Sequence, residues 1–236
     1  MKRRFFDTAL RQSAADVGCQ PEDFFRPENT FYPSARREGA KVFYPEQVDF
    51  LAVSFGFGSA VSVREDRLEE VSDALRGSYI NSEALMPLGL KPKFECVFFL
   101  PSGDEVAPLP CRYETRLLLP EDFGELYLPE WSNALCSKRP QNDRIAVGAY
   151  DRGKLVGLAG ASQDAENMMQ IGIDVLKEYR RQGIAAALTS ALANEIIKIG
   201  QAPFYSCNWN NIPSFKNALR SGFTPVWTEI QANLAG

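Results

Sequence analysis

The chain has 236 residues, 26 Lys+Arg against 30 Asp+Glu for a net charge of -4, and 45% apolar and 11% aromatic residues; this is the balance of a soluble globular chain of one or two domains, able to bury a core without disulfides or metals. The acidic excess argues against a protein that coats nucleic acid or anionic membrane, while leaving room for a local basic pocket that holds a small anion. Histidine is absent, which excludes Ser-His-Asp and Cys-His nucleophile systems, HExxH zinc sites and a histidine general base, so any acid–base chemistry falls to Asp, Glu, Tyr, Cys, Lys or water.

Residues 3–17 predict a helix with Phe6, Leu10, Ala14 and Val17 along one face. Asp7 and Arg11 interrupt the apolar stretch behind its basic start, so no export signal is expected, and no apolar run approaches the ~18 residues of a membrane span. Residues 50–55 predict a strand, Gly56-Phe57-Gly58-Ser59 a hairpin turn, and residues 60–63 the returning strand. A charged helix is expected over 65–75, a short one over 81–85, and a strand over 94–100. The Pro-, Gly- and acid-rich stretch 101–110 has the composition of a linker, which sets the expected domains at 1–105 and 111–236. Cys19, Cys96, Cys111, Cys136 and Cys207 are spaced too widely for a CxxC pair or a zinc ribbon; they are expected to be reduced thiols in a cytoplasmic protein, with no metal site.

The second half alternates strands with helices. Strands are predicted over 113–119, 145–150, 155–161 and 168–175, with Arg152-Gly153 turning the central hairpin and a helix over 120–126. The apolar run 168–175 predicts a central strand. A long helix over 183–199 is expected to pack Leu188, Leu192, Ile196 and Ile199 against the sheet, with Gly200 as its C-terminal cap.

The junction before that helix carries the chemistry: strand, then Arg180-Arg181-Gln182-Gly183-Ile184-Ala185, then helix. A glycine there lets the backbone approach a ligand closely, and the free N–H groups and dipole of the helix start favour a phosphate. Neither GxxxxGK[ST] nor GxGxxG is present, so this is not a P-loop or a dinucleotide fingerprint. Taken alone, the hexapeptide is equally readable as a solvated helix start.

In its setting, Arg180-x-x-Gly183-x-Ala185 after a strand ending Asp174-Val175 resembles the acetyl-CoA motif of the GCN5-related N-acetyltransferase (GNAT) superfamily. The strand at 204–207, Asn211-Ile212-Pro213-Ser214, and the pair Gly222-Phe223 resemble its closing elements. The resemblance covers residues 111–236 and implies the GNAT fold, an α/β (α+β) mixed sheet, preceded by a smaller α/β N-terminal domain that would cover or shape the acceptor site. It implies acetyl-CoA as co-substrate, with Ile173 and Val175 bonding the pantetheine arm. Arg180, Arg181, Gln182, Gly183, Ile184 and Ala185 would hold the pyrophosphate, and Asn211 and Ser214 would touch the cofactor. It implies transfer of an acetyl group, by direct attack in a ternary complex, to a primary amine on a small molecule or a protein.

Two positions depart from the family. Its tyrosine acid falls on Ala218 and its glutamate base on Met169. The remaining candidates are Asp174, Glu166, Tyr205, Cys207, Asn208, Asn211 and Ser214, with Asp174, Tyr205, Asn208 and Ser214 assigned as catalytic. Each also has a structural reading: Asp174 as a partnered acid, Asn211 or Ser214 as a helix cap, Tyr205 as sheet core with a satisfied hydroxyl, Cys207 as a buried thiol. The alternative function is a non-catalytic acyl-CoA-binding or regulatory module. No nucleic-acid or membrane partner is expected, and a homodimer is compatible with the sequence.

Overall fold

The computed structural model describes residues 3–35, 38–42, 44 and 47–234. In chain order the elements are α1 (Arg3–Val17), β1 (Thr30–Pro33), β2 (Phe50–Ser54), β3 (Ser59–Val63), α2 (Leu68–Leu75), α3 (Ser82–Leu85), β4 (Leu90–Pro101), β5 (Glu114–Leu118), β6 (Asp143–Asp151), β7 (Lys154–Ser162), β8 (Met168–Val175), α4 (Ile184–Lys198), β9 (Ala202–Asn208), α5 (Ile212–Arg220) and β10 (Phe223–Leu234). They form two compact units, each discontinuous in sequence: a first comprising 6–98, 207–210 and the chain from 225, and a second comprising the residues up to 5, 99–206 and 211–224.

The first unit has the strand order β1-β3-β2-β10-β4. β2 and β3 form the expected hairpin, paired from Phe50/Val63 to Ser54/Ser59, and β1 lies parallel to β3. One face of the sheet buries Phe50, Ala52, Val61 and Val63 against Val71 and Leu75 of α2 and Leu85 of α3. α3 starts on an Asn81 side chain that accepts from the Ala84 N–H, a cap of the kind worth ~1 kcal/mol. On α1, Leu10, Ala14 and Val17 are buried, as the spacing predicts, and Phe6 of the same face is half-buried.

Beneath this sheet lies a buried charge cluster. Lys41 Nζ sits 2.7 Å from Asp16 Oδ2 and 2.8 Å from Glu229 Oε1, all three side chains being almost inaccessible to solvent. The Tyr44 hydroxyl also donates to Glu229, as does the Trp227 indole N–H at 2.9 Å. Burial pushes the Asp16 carboxyl above its ordinary value, with Lys41 opposing the shift.

The second unit has the strand order β9-β8-β7-β6-β5. β5 to β8 run antiparallel to their neighbours, and β8 is parallel to β9. Arg152 and Gly153, both at positive φ, close the β6–β7 hairpin. α4 packs on β6, β7 and β8, burying Ile184, Leu188, Leu192 and Ile196 on one face. Gly200, at φ +83, ends it as expected.

The structure differs from the sequence reading in four places. Residues 120–126 are not an α-helix but two 3-10 turns, Pro120–Asp122 and Gly124–Leu126; the Asp122 carboxylate closes the first by accepting from the Leu119 N–H, and Gly124 interrupts propagation. The charged helix begins as a 3-10 turn, Glu65–Arg67, before α2. Ile199 is 55% exposed rather than packed, because α4 has already ended at Lys198. The units do not part at the 101–110 stretch: the chain passes from one to the other after Phe98, and β10 joins the first unit because Thr228–Ala232 pair antiparallel with Phe50–Ser54.

Candidate functional site

The site is built on β8, residues 202–206 of β9 and the start of α4, all in the second unit. β8 is paired to β7 on one side from Ser162/Gln170 to Gly157/Val175. On its other side the parallel ladder with β9 runs only from Met168/Ala202 to Ile171/Tyr205. Both strands continue past that point, so Gly172, Ile173, Asp174 and Val175 form a strand edge with one row of main-chain donors and acceptors unpaired by β9. Such an opening accepts an extended ligand by strand-like hydrogen bonds and needs no particular side chain.

The other end of the opening is the α4 N-terminus. Gly183 is its N-cap at φ +81, with no side-chain cap, and Arg181 also takes a positive φ of 62. Two left-handed residues so close together turn the backbone sharply and leave the first-turn N–H groups facing outward, an anion-binding arrangement. Around Gly183, nothing lies within 4 Å of the position a Cβ would occupy. Arg180 Nε donates to the Val175 carbonyl at 3.0 Å, joining the strand end to the loop, and the Tyr113 hydroxyl donates to Gln182 Oε1 at 2.8 Å. Arg180 and Arg181 are both exposed and charged beside the helix start. Ile173 and Ala185 are half-buried and Ile184 is buried.

The candidate chemical residues separate. Tyr205, the last β9 residue in the ladder, is buried, and its hydroxyl lies 2.7 Å from Ser214 Oγ on α5. This pair stands where the strands part. Asn211 caps α5, its side chain accepting from the Ser214 N–H at 3.2 Å. Asn208 and Cys207 belong to the first unit, where Asn208 Oδ1 accepts from the Cys96 thiol at 3.4 Å. Glu166 lies in the β7–β8 loop, its main-chain oxygen accepting from Gln163. Ala218 and Met169, at the family's acid and base positions, are fully buried and apolar.

Asp174 anchors a loop. Its carboxylate accepts from the Asn133 N–H at 2.8 Å, Asn133 Nδ2 at 2.6 Å and the Ala134 N–H at 3.0 Å, so both oxygens are engaged, the arrangement of a partnered structural acid. The same loop explains two strand glycines that sequence reasoning missed. Gly160 and Gly172 are register partners, and an added Cβ would meet Ala134 O at 2.0 Å or Asn133 O at 1.7 Å. A glycine in each of two neighbouring strands was the available signal of close backbone approach. Asp174→Asn is expected to cost about 1–3 kcal/mol of stability: its one oxygen can keep the two main-chain N–H bonds, but its new NH2 then faces the Asn133 Nδ2 donor. Thermal unfolding checks the loss; a pH–rate profile unchanged in shape confirms that no base was removed.

Among the described residues no helix is long and apolar enough to cross a membrane, and no group of three or more His, Cys, Asp or Glu is arranged to hold a metal ion.

Comparison with known proteins bears on the second unit. Residues 112–223 match the acetyltransferase (GNAT) family. Similar solved structures include a GCN5-related N-acetyltransferase from Kribbella flavida (TM-score 0.51, 18% identity, covering 65% of this chain and 63% of that one). Others are an acetyltransferase of the GNAT family from Colwellia psychrerythraea (0.47, 17%, 66% and 62%) and a GCN5-related N-acetyltransferase from Sphaerobacter thermophilus (0.49, 16%, 64% and 54%). The matches thus leave a third or more of those structures' own length uncovered. No curated protein matches the chain.

Proposed function

We propose that the protein is an acetyl-CoA-dependent N-acetyltransferase acting on a primary amine by direct attack in a ternary complex, a reading that starts from the match of residues 112–223 to the GNAT acetyltransferase family. The observation that carries this reading is the ladder between β8 and β9 that stops at Ile171/Tyr205 while both strands continue, opening beside an uncapped, glycine-started helix. Main-chain groups of Gly172–Val175 hold the pantetheine arm. The amides of Gln182–Ala185 receive the pyrophosphate, and Arg180 and Arg181 balance its charge. When bound, acetyl-CoA supplies the activated thioester carbonyl.

The chain must then orient the amine, take up its proton and return a proton to sulfur. With alanine and methionine at the usual acid and base positions, the Tyr205–Ser214 hydroxyl pair is the assigned proton donor: Tyr205 gives its proton to the departing sulfur, and Ser214 reorients its own hydroxyl to stabilise the phenolate. Water accepts the amine proton. A second reading, a non-catalytic acyl-CoA-binding module, is favoured by the buried Ala218 and Met169.

Titration of acetyl-CoA into the full-length protein, followed by release of free CoA thiol over a panel of amines, tests both. Saturable binding with turnover is the expected result, and Tyr205→Phe is expected to lower kcat about 100-fold with acetyl-CoA affinity unchanged. Binding without turnover of any amine favours the second reading. No saturable binding at millimolar acetyl-CoA sinks both.

A further inference from the structure

The first unit carries a groove that the acyl-transfer site does not use. Its larger lobe, about 680 Å³, and its smaller, about 390 Å³, share a floor of Val97, Thr228 and Ile230 on β4 and β10. The two lobes therefore adjoin on the sheet, each within the range of small-ligand sites.

The two ends differ in chemistry. At the small end, Glu95 is fixed in place: Oε2 accepts from the Trp209 indole N–H at 2.7 Å and Oε1 from the Ser82 hydroxyl. Trp209 is itself 59% exposed, and Glu83 lines the same end. No Lys or Arg lines this lobe, and its remaining carboxylate, Glu229, is engaged by Lys41. A positioned carboxylate beside an open indole face attracts an ammonium group. At the large end, Arg76 is the one basic lining residue, and its exposed guanidinium makes no ion pair among the described residues. Phe55, Phe57 and Tyr79 line the same lobe, the last two 60% and 92% exposed. A guanidinium in a lobe that aromatic rings also line suits a carboxylate borne on an apolar body.

We propose that this groove binds a short peptide, its free α-amine at Glu95 and Trp209, its apolar side chain on the Val97–Ile230 floor, and its carboxylate at Arg76. Ala52 and Ser54 of β2 also line the larger lobe, so the groove spans β4, β10 and β2, adjacent strands at ~4.8 Å spacing, and the crossing is ~10 Å, the length of about three extended residues. Glu28 lines the carboxylate end and opposes it, so Glu28→Gln is expected to tighten binding. The proposal goes beyond the acyl-transfer reading and does not rest on it, and its test contains no acyl-CoA.

The probes are the tripeptide Gly-Phe-Gly, its C-terminal amide and its N-acetyl form, titrated calorimetrically into the full-length protein and into variants shown by circular dichroism to be folded. Wild type is expected to bind the free tripeptide at least 10-fold tighter than either blocked form. Arg76→Ala should equalise acid and amide; Glu95→Gln should equalise free and acetylated peptide. Equal affinity for all three in wild type, or no saturation at millimolar peptide, overturns the proposal. Peptide binding in a protein that fails to bind acetyl-CoA upholds the groove and removes the acyl-transfer reading; acetyl-CoA binding without peptide binding does the reverse.

Discussion

Gly183→Trp is expected to weaken acetyl-CoA binding by 100-fold or more, equivalent to ~2.7 kcal/mol, while costing the fold only about 1–2 kcal/mol. The two effects separate because of where the side chain would go. Gly183 has φ +81 and open space around its Cβ position, so an indole strains the backbone but collides with nothing in the protein. It fills the volume in front of the α4 amides that a pyrophosphate must enter. Gly200 provides the control: it lies just past the other end of α4, at φ +83, and its Cβ position is equally open. Gly200→Trp should therefore lower the melting temperature by a similar amount and leave acetyl-CoA affinity unchanged. Matching affinities for the two variants would remove the phosphate from the helix start. A loss of binding in both would mean that helix strain, not occlusion, is being measured.

How much of this was legible in the sequence depends on the range of the interaction concerned. The α4 junction was readable because its determinants are local: Arg180 to Ala185 are consecutive, and Gly183 and Gly200 mark the helix ends by the conformations they alone adopt readily. The β6–β7 and β2–β3 hairpins were readable from turn residues and alternation. The fate of Asp174 was not, since its partners Asn133 and Ala134 lie 41 and 40 residues away, and a carboxylate near a strand end looks the same whether it holds a loop or faces a substrate. Nor was the membership of β10, which pairs with β2 far back in the chain. The Tyr205–Ser214 contact spans nine residues and crosses from β9 to α5; both residues could be nominated, but only the fold brings their hydroxyls together. The groove of the first unit was invisible for the same reason, its ends being supplied by Arg76, Glu95 and Trp209.

The buried cluster around Lys41 shows the same long-range logic acting on stability. Lys41→Met is expected to cost about 3–5 kcal/mol at neutral pH, a large part of the ~5–15 kcal/mol that holds a domain together. Methionine fills nearly the same volume, so the loss is electrostatic: Asp16 and Glu229, 2.7 and 2.8 Å from the ammonium, are left as two buried carboxylates facing each other. Part of the wild-type compensation survives through the Tyr44 hydroxyl and the Trp227 N–H on Glu229, whereas Asp16 keeps Gln12 Nε2 at 3.0 Å and the Lys41 main-chain N–H at 2.8 Å. The sign of the pH dependence follows. Burial already raises the folded-state value of Asp16, with Lys41 holding it down; without the ammonium it climbs further, while in the unfolded chain it stays near ~3.9. A carboxyl whose folded value lies above its unfolded one binds its proton more tightly when folded. Its penalty is therefore absent below the unfolded value and grows as pH rises toward the folded one. The stability gap between wild type and Lys41→Met should be small at pH 4 and full at pH 7.5 in thermal or urea unfolding. Adding Glu229→Gln to the variant should recover part of it by leaving one buried charge instead of two. A gap that is equal at both pH values, or a double variant no more stable than the single, would show that Lys41 contributes through packing of its methylene stem rather than through its charge.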